Sequence, residues 1–331
     1  RGDYVYNAIK SGNLYPLYDP AWYNGVEILR YWSPFPAYVM AFCQYLAGGS
    51  QFGAYLFYIG GVCFLGACVW PFIGRGFNRP YLGAFIGLLW FFMPNNLCAI
   101  FIEGNLARSL SMIFLPVFIY SVYKYLYNHK LRYIPLMVFT FLLMELCHLG
   151  YAGMVAIAVI IYGIVYMIQK GRKKAVLDVV ISMIFGFMLL GIWLVASLRG
   201  GITSLDNSEN MANFFQNLWI TINPFERLTR GFEYFYFGFA ALVVIVFGIL
   251  FGYKKSRTGF VTGFIILLMT TKSAYAVLKH LPGSQYLWML RFISIALCMI
   301  LMSFLMWDRL KKPLVLMLCV LLAVDTIPSL S

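Results

Sequence analysis

Charged residues are scarce in this chain, and their scarcity limits what kind of protein it can be. Lysine, arginine, aspartate and glutamate make up 11% of the 331 residues, whereas hydrophobic residues make up 62%. A water-soluble domain has about 25% charged residues. The composition therefore excludes a soluble globular protein and predicts an integral membrane protein whose surface is covered largely by lipid.

Several motifs are also missing. The seven cysteines form no CxxC pair, so neither the usual zinc motif nor a thiol redox pair is indicated. There is no internal repeat of the kind that many secondary transporters contain. The chain begins at Arg1 without a signal peptide, and we expect it to be a fragment that lacks at least the preceding membrane span.

Basic residues exceed acidic ones, and the formal net charge is +13. Such an excess would suggest a nucleic-acid partner if it formed one basic face. The lysines and arginines instead lie in short clusters between apolar runs, which is typical of topology signals in membrane proteins. We therefore expect no nucleic-acid partner.

Apolar segments of about 20 residues, the length that crosses a bilayer as a helix, recur along the chain. We predict an all-α, polytopic transmembrane bundle of about ten spans. Residues 1–50 are expected to form a long extracytoplasmic loop with an interfacial helix, and residues 51–331 the transmembrane domain, with an outer loop at 198–234. The predicted spans are 51–74, 81–101, 110–127, 133–149, 151–169, 175–197, 235–253, 259–272, 289–307 and 313–327.

The charges of the predicted loops alternate in sign. Basic residues concentrate in the short loops around Arg75, Lys130, Lys173, Lys255 and Lys311, whereas most acidic residues lie in or beside the opposite loops. Basic loops of membrane proteins face the cytoplasm. This topology places the opening segment and the 198–234 loop outside, so we expect any chemistry at the outer face.

The opening segment combines charges with many aromatic residues. Asp3, Asp19 and Arg30 lie among tyrosines and tryptophans such as Trp22, and such aromatics suit the lipid headgroup zone. Two interpretations stay open. The segment is either an amphipathic loop that lies on lipid or a surface site that binds a lipid-linked substrate.

A second group of polar residues interrupts an apolar run. The stretch 94–96 (Pro-Asn-Asn) breaks the run, and Glu103, Asn105 and Arg108 follow at its outer end. Asn105 could cap the helix that follows. Ionisable groups at membrane depth are costly and often functional. The alternative is a Glu103–Arg108 ion pair that only closes a turn.

Two more candidates lie at predicted outer ends of spans. His148 follows Glu145 by three residues, on the same helical face, so the two could start a metal site; a buried structural histidine is the alternative, and no metal site is predicted. Arg291 opens a later span. Its planar guanidinium suits a phosphate, and an interfacial anchor is the competing interpretation.

Longer motifs indicate a family. The stretch S-G-N-L-Y-P-L-Y-D-P-x-W-Y-N-G-V-E (11–27), which continues through R-Y-W-S-P (30–34), resembles bacterial membrane proteins of the "6-pyruvoyl-tetrahydropterin synthase related" family. F-M-P-N-N (92–96), E-G-N-L-A-R-S-L-S (103–111) and C-H-L-G-Y-A-G-M (147–154) extend the resemblance over nearly the whole chain. Despite the family's name, it implies no pterin chemistry.

That family in turn resembles the C-type (GT-C) glycosyltransferases, polytopic enzymes with a long first outer loop that take sugars from polyprenyl-phosphate carriers. The resemblance implies a multi-pass protein of the bacterial plasma membrane and cell envelope, in contact with membrane lipid. It further implies transfer of a sugar from a polyprenyl-phosphate donor at the outer face. Activity is not implied by fold alone, so a non-enzymatic carrier or flippase for a lipid-linked saccharide and a structural membrane subunit remain alternatives.

The resemblance also suggests roles for particular residues. A carboxylate would act as general base, and the candidates are Glu103, Asp19 and Asp3. The substrate-binding candidates are Arg108, Asn105, Arg291, Arg30, Trp22 and His148. The cofactor is open, with a divalent cation as one option. Family members carry an acidic residue and a histidine before the Arg-Gly-Asp stretch. In this chain that segment would lie upstream of Arg1, so the acidic residue that acts in catalysis is expected there.

Overall fold

The computed structural model describes residues 1–21, 25–199, 215–223, 236–281, 284, 287–307 and 309–326. These residues form helices and turns, with two isolated backbone bridges and no β-strand. The predicted all-α class is confirmed at this level. Most of the 198–234 loop and the candidate Trp22 lie outside the described residues.

Three helices belong to the opening segment, and longer apolar helices follow. The first three are α1 (Gly2–Lys10), α2 (Ile28–Tyr31) and α3 (Phe35–Leu46). The others are α4 (Gln51–Gly76), α5 (Pro80–Phe92), α6 (Pro94–Leu97), α7 (Leu106–Asn128), α8 (Tyr133–Lys170), α9 (Lys173–Leu189), α10 (Gly191–Arg199), α11 (Leu218–Ile222), α12 (Phe239–Phe251), α13 (Lys254–Met269), α14 (Lys272–Leu278), α15 (Phe292–Met306) and α16 (Lys312–Val324). A π-helix at Cys98–Ile102 follows α6, and a 3₁₀ turn at Met289–Arg291 precedes α15.

Several of these helices are suited to cross a membrane. Four are long and apolar enough among the described residues: α4, α7, α8 and the stretch Met289–Met306. Two bent pairs raise the count to six, namely α5 with residues 94–102, bent by 54°, and α9 with α10, bent by 63°. The helices α12 and α16 are apolar but shorter. A multi-spanning membrane protein is thus supported, whereas the count by helix length is lower than the ten predicted spans.

The long helix α8 reverses direction at its middle. His148 has φ −155° and ψ 93°, which are not helical angles. The ring of Tyr133, at the start of α8, lies 6.0 Å from that of Tyr120. The ring of Tyr166, near its end, lies 5.4 Å from that of Tyr127. Both ends of α8 therefore pack against the C-terminal half of α7. The two halves of α8 run back along each other, in agreement with the separate spans predicted at 133–149 and 151–169.

The basic loops meet at the end of the bundle where α7 ends. Hydrogen bonds join these loops to one another and to neighbouring helix ends: Lys124 to the backbone oxygen of Gly76, Arg79 to that of Trp307, Arg172 to His129, and Tyr127 to Thr258. Glu103 and Asp325 lie at the opposite ends of their helices, and Glu145 lies in the turn before the reversal of α8 at His148. The described basic and acidic loops are therefore separated along the bundle, as the charge pattern predicts.

The helix α15 forms the centre of the bundle. Every residue from Phe292 to Leu305 is buried. By contrast, α9 and α10 expose large apolar side chains such as Phe185 and Ile192, and Ile192 is 94% exposed. Lipid contacts suit such a surface, since an apolar patch of this kind is rare on soluble monomers. The opening segment has a small core of its own, formed by Val5, Ile28, Leu29, Ala37 and Ala41.

An acidic residue joins the last described helix to α12. Asp325 is fully buried and follows α16. Its carboxylate accepts hydrogen bonds from the backbone N–H groups of Ala240 and Ala241, at 3.0 and 2.7 Å, and from the Tyr236 hydroxyl at 3.0 Å. A carboxylate at a helix N-terminus satisfies donors that have no partner within the helix. Asp325 therefore fixes α16 against the outer end of α12.

Candidate functional site

Two breaks in apolar helices bring polar side chains into the membrane region. The chain is extended at Met93, and Pro94 starts a new helix after the break; proline lacks the N–H that would continue α5. The stretch Cys98–Ile102 is π-helical, a geometry that often marks functional sites. Glu103 follows directly, so the π-helical turn lies between Asn95 and Glu103.

The next helix begins at a side-chain cap. The carboxamide oxygen of Asn105 accepts a hydrogen bond from the backbone N–H of Arg108 at 3.0 Å. Gly104 has φ +56°, a left-handed conformation that glycine adopts without strain. The prediction that Asn105 caps this helix is confirmed. The cap fixes the first turn of α7 and therefore the position of Arg108.

Arg108 is the centre of a buried polar cluster and is 0% exposed. One Nη donates to Glu103 at 2.7 Å, and the other donates to the Asn95 carboxamide oxygen at 2.7 Å. The guanidinium carbon lies 5.8 Å from the centre of the Tyr151 ring. The Glu103–Arg108 ion pair, which was the alternative interpretation of this stretch, is present. Asn95, which the sequence indicated only as part of a break, is its further partner.

A second arginine lies beside the first. Asn95 donates to the backbone oxygen of Leu290 at 3.1 Å, which brings Arg291 to the cluster. One Nη of Arg291 is 3.3 Å from Nε2 of His148, and its guanidinium lies 4.5 Å from the Trp288 ring. Asn95 therefore links the two arginines, since it accepts from Arg108 and donates to the residue before Arg291. His148 and Arg291 are thus brought together with Arg108, as members of one site.

Not every polar atom of the cluster has a hydrogen-bond partner among the described residues. Nε of Arg108 and Nε of Arg291 are buried and have no partner among the described residues. Nδ1 of His148 also accepts from the backbone N–H of Tyr151 at 3.2 Å. A neutral imidazole has one accepting nitrogen, so His148 can accept from either Tyr151 or Arg291 but not from both. A buried arginine and a partly buried one therefore lie beside one ion-paired carboxylate, Glu103, whose Oε2 also has no described partner.

Hydroxyl groups join the two helices that carry this cluster. The Tyr151 hydroxyl and Ser294 Oγ are 2.8 Å apart, and Ser294 also donates to the backbone oxygen of Arg291 at 3.0 Å. These bonds tie the second half of α8 to the start of α15. Neither residue could be recognised from the sequence, because 143 positions separate them.

A groove of about 630 Å³ lies at the end of the bundle opposite the basic loops, beside the opening segment. Its walls are mainly apolar and include Leu142 and Leu146 of α8 and Trp193 of α10. Glu27 and Arg30 add an ion pair, and Nε of Arg30 donates to the backbone oxygen of Ala196 at 3.0 Å. Arg30 therefore belongs to the groove. Glu103 and Arg108 are not among its described lining residues.

The two aspartates of the opening segment have other partners. Asp3 accepts a hydrogen bond from the Gln44 side chain at 2.7 Å, and Asp19 accepts from the backbone N–H of Ala21 at 2.9 Å. Both bonds hold the opening segment in place. No described contact joins either aspartate to Arg108 or its neighbours, so the structure brings Glu103 to the cluster but neither of these.

Metal ligands do not gather in the described part of the chain. No three of its histidine, cysteine, aspartate and glutamate side chains are close enough to hold a metal ion. A divalent cation bound with the help of a substrate phosphate needs fewer protein ligands. A divalent cation therefore remains one option for the cofactor.

Comparisons with known proteins give one result. A family model described as a 6-pyruvoyl-tetrahydropterin synthase related domain of membrane proteins matches residues 29–331. No curated protein and no solved structure matches the chain. The match covers the breaks, the polar cluster and most of the groove.

Proposed function

This chain belongs to the 6-pyruvoyl-tetrahydropterin synthase related family of membrane proteins, and we propose that it is a membrane glycosyltransferase of the GT-C kind. In this proposal it transfers a sugar from a polyprenyl-phosphate donor at the outer face of the bacterial plasma membrane. The observation that carries the proposal is the pair of neighbouring arginines, Arg108 and Arg291, each with a buried Nε that has no partner among the described residues. Of the two arginines, only Arg108 has an ion-pair partner among the described residues. A cation removed from water without a counter-charge is costly, and a phosphate would supply the counter-charge that Arg291 lacks.

The chemistry of the donor matches this pair of arginines. A guanidinium presents a planar fork of donors that fits a phosphate. When the sugar leaves the carrier, the phosphate gains negative charge, so preorganised arginines would stabilise the transition state more than the ground state. Arg108 is held in place by Glu103 and Asn95, and we assign it and Arg291 to the leaving phosphate.

A ten-span topology follows from the same proposal. The unbroken helices α4, α7 and Met289–Met306 and the two halves of α8 are five spans. The two bent pairs, α5 with residues 94–102 and α9 with α10, are two more. The short helices α12, α13 and α16 are the last three. The contacts among the basic loops support this arrangement, because all of them lie at one end. The polar cluster and the groove then face the outside, where a lipid-linked sugar would be presented.

A carrier for a lipid-linked saccharide is the second candidate. Buried hydroxyls continue toward the basic end, since Tyr123 and Ser303 are 3.0 Å apart and the Tyr162 ring lies 4.7 Å from that of Tyr123. A transport path requires polar groups at such depths. These groups are neutral and packed in the core, so they support a carrier less than the charged outer cluster supports a transferase.

A transfer assay tests the proposal. The full-length protein would be reconstituted in lipid nanodiscs with a panel of labelled polyprenyl-phosphate sugars, and release of polyprenyl phosphate would be measured. Arg108→Lys keeps the charge but loses the fork. Loss of one charge-assisted hydrogen bond of about 1.5–3 kcal/mol lowers the rate by roughly 10- to 100-fold.

The matched control is Arg257→Lys at the opposite end of the bundle. Arg257 also has a buried Nε without a described partner, so the substitution removes the same group far from the cluster and should leave the rate unchanged. Wild-type protein that releases no polyprenyl phosphate from any donor would contradict the proposal. Movement of intact sugar-lipid across vesicles would favour the carrier instead.

A further inference from the structure

Glu145 carries a buried carboxylate that belongs to neither of the two ion pairs among the described residues. It is 1% exposed, and its Oε2 has no hydrogen-bond partner there. The two ion pairs are Arg30–Glu27 and Arg108–Glu103. An unpaired carboxylate inside a membrane protein is expensive and is usually retained for function, so this side chain calls for an explanation beyond packing.

The position of Glu145 on α8 is between the groove and the polar cluster. Successive helical residues are turned by about 100°. Leu142 and Leu146 line the groove, and Glu145 lies about 60° from Leu142 on the side away from Leu146. His148, three residues after Glu145, contacts Arg291. Glu145 therefore lies within one turn of residues that belong to the groove and of one that belongs to the polar cluster.

The opening segment covers the same turn of α8. Ser33 donates a hydrogen bond from Oγ to the backbone oxygen of Glu145 at 3.2 Å. This contact holds the outer segment against the helix at the position of the buried carboxylate. The opening segment and the buried carboxylate therefore meet at one turn of α8.

Glu103, the carboxylate first favoured from the sequence, is less suited to accept a proton. Its Oε1 accepts from Arg108 at 2.7 Å. Protonation of Glu103 would cancel the charge that pairs with Arg108 and would leave a buried cation alone. Glu145 has no such partner among the described residues, so it can gain a proton without breaking an ion pair.

We propose that Glu145, rather than Glu103, is the catalytic base of the transfer reaction; this inference rests on the proposed glycosyltransferase function. The Glu145 carboxylate takes the proton of the acceptor hydroxyl, and the acceptor oxygen forms a bond to the anomeric carbon of the sugar. The bond between that carbon and the phosphate oxygen breaks, and its electron pair leaves with polyprenyl phosphate. Arg108 and Arg291 hold this leaving group, while Glu103 keeps Arg108 in place.

The test compares Glu145→Gln with Glu103→Gln in the full-length reconstituted protein. Glu145→Gln is expected to lower kcat by roughly 100-fold or more, the usual effect of losing a general base, without raising KM for the donor. Its midpoint of thermal unfolding should stay equal or rise, because an unpaired buried carboxylate is removed. Glu103→Gln should lower that midpoint, since it weakens the pair with Arg108. Asp178→Asn near the basic end is the control for turnover and should leave kcat unchanged, because its carboxylate accepts from the Tyr125 hydroxyl at that end of the bundle.

A second variant separates catalysis from folding. Glu145→Ala removes the carboxylate, and added formate should restore part of its turnover by supplying a free carboxylate. A wild-type rate in Glu145→Gln would overturn the inference. So would a loss of rate that accompanies a lower unfolding midpoint and is not relieved by formate. An inactive wild-type protein, by contrast, would refute the proposed function itself, and this result is read from the wild type alone.

Discussion

The side chains around Arg108 should be energetically coupled, whatever the function of the protein. Arg108→Met removes the donor of both Glu103 and Asn95 while retaining an apolar stem of similar length. Breaking a buried ion pair by removing one partner costs about 3–5 kcal/mol. Glu103→Leu should cost a comparable amount, since it leaves the buried Arg108 with the neutral Asn95 alone.

The double variant Arg108→Met/Glu103→Leu should be much less destabilised than the sum of the single variants. It leaves no uncompensated charge from this pair, and a coupling of about 1–3 kcal/mol is expected for residues in contact. Equilibrium unfolding in mixed micelles with increasing sodium dodecyl sulfate, followed by tryptophan fluorescence, would measure all three variants. Effects that add within about 0.5 kcal/mol, as for independent sites, would refute the described cluster.

Two further predictions concern topology and the outer end of α12. Single cysteines in the loops at Arg75, Lys130, Lys173, Lys255 and Lys311 should resist a membrane-impermeant maleimide added from outside, and labelling of two or more would contradict the topology. Gly238→Ala should destabilise the protein by more than about 1–3 kcal/mol, the cost of a strained residue, because Gly238 has φ +123° and a Cβ there would lie 2.2 Å from the Asp325 carboxylate. Unchanged unfolding in that variant would rule out the described junction of α12 and α16.

Composition and local spacing were enough to predict the class of protein and part of the site. The scarcity of charge indicated a membrane protein, and the family match agrees with it. Glu103, Asn105 and Arg108 lie within six positions, so a cap and an ion pair across one turn could be expected from the sequence. The reversal near His148 was also predictable, because two apolar stretches flank it.

The remaining contacts of the site could not be predicted because they join distant parts of the chain. Asn95 reaches Arg108 only because of the break at Met93 and the π-helix that follows. His148 and Arg291 are 143 positions apart. Arg30 was expected with the phosphate-binding arginines but pairs with Glu27 in the groove, a local contact that the apolar pattern of the later helices could not indicate.

The number of spans illustrates a similar limit. Hydropathy identifies apolar stretches, whereas helix length decides which of them can cross a bilayer. The helices α12 and α16 each have 13 residues, fewer than the roughly 20 that a perpendicular span needs. Short helices can span only where the bilayer thins or where neighbouring residues extend them. The ten-span topology therefore depends on the residues that flank these two helices.

The measurement that tests the central claim most directly is the binding of polyprenyl phosphate to the wild-type protein and to its arginine variants. Native mass spectrometry of the full-length protein released from nanodiscs would report the bound fraction at several lipid concentrations. We predict saturable binding by the wild type, binding about 10- to 100-fold weaker in Arg108→Lys and Arg291→Lys, and wild-type binding in Arg257→Lys. Equal binding by all four proteins would contradict the claim that the buried arginine cluster holds the lipid phosphate.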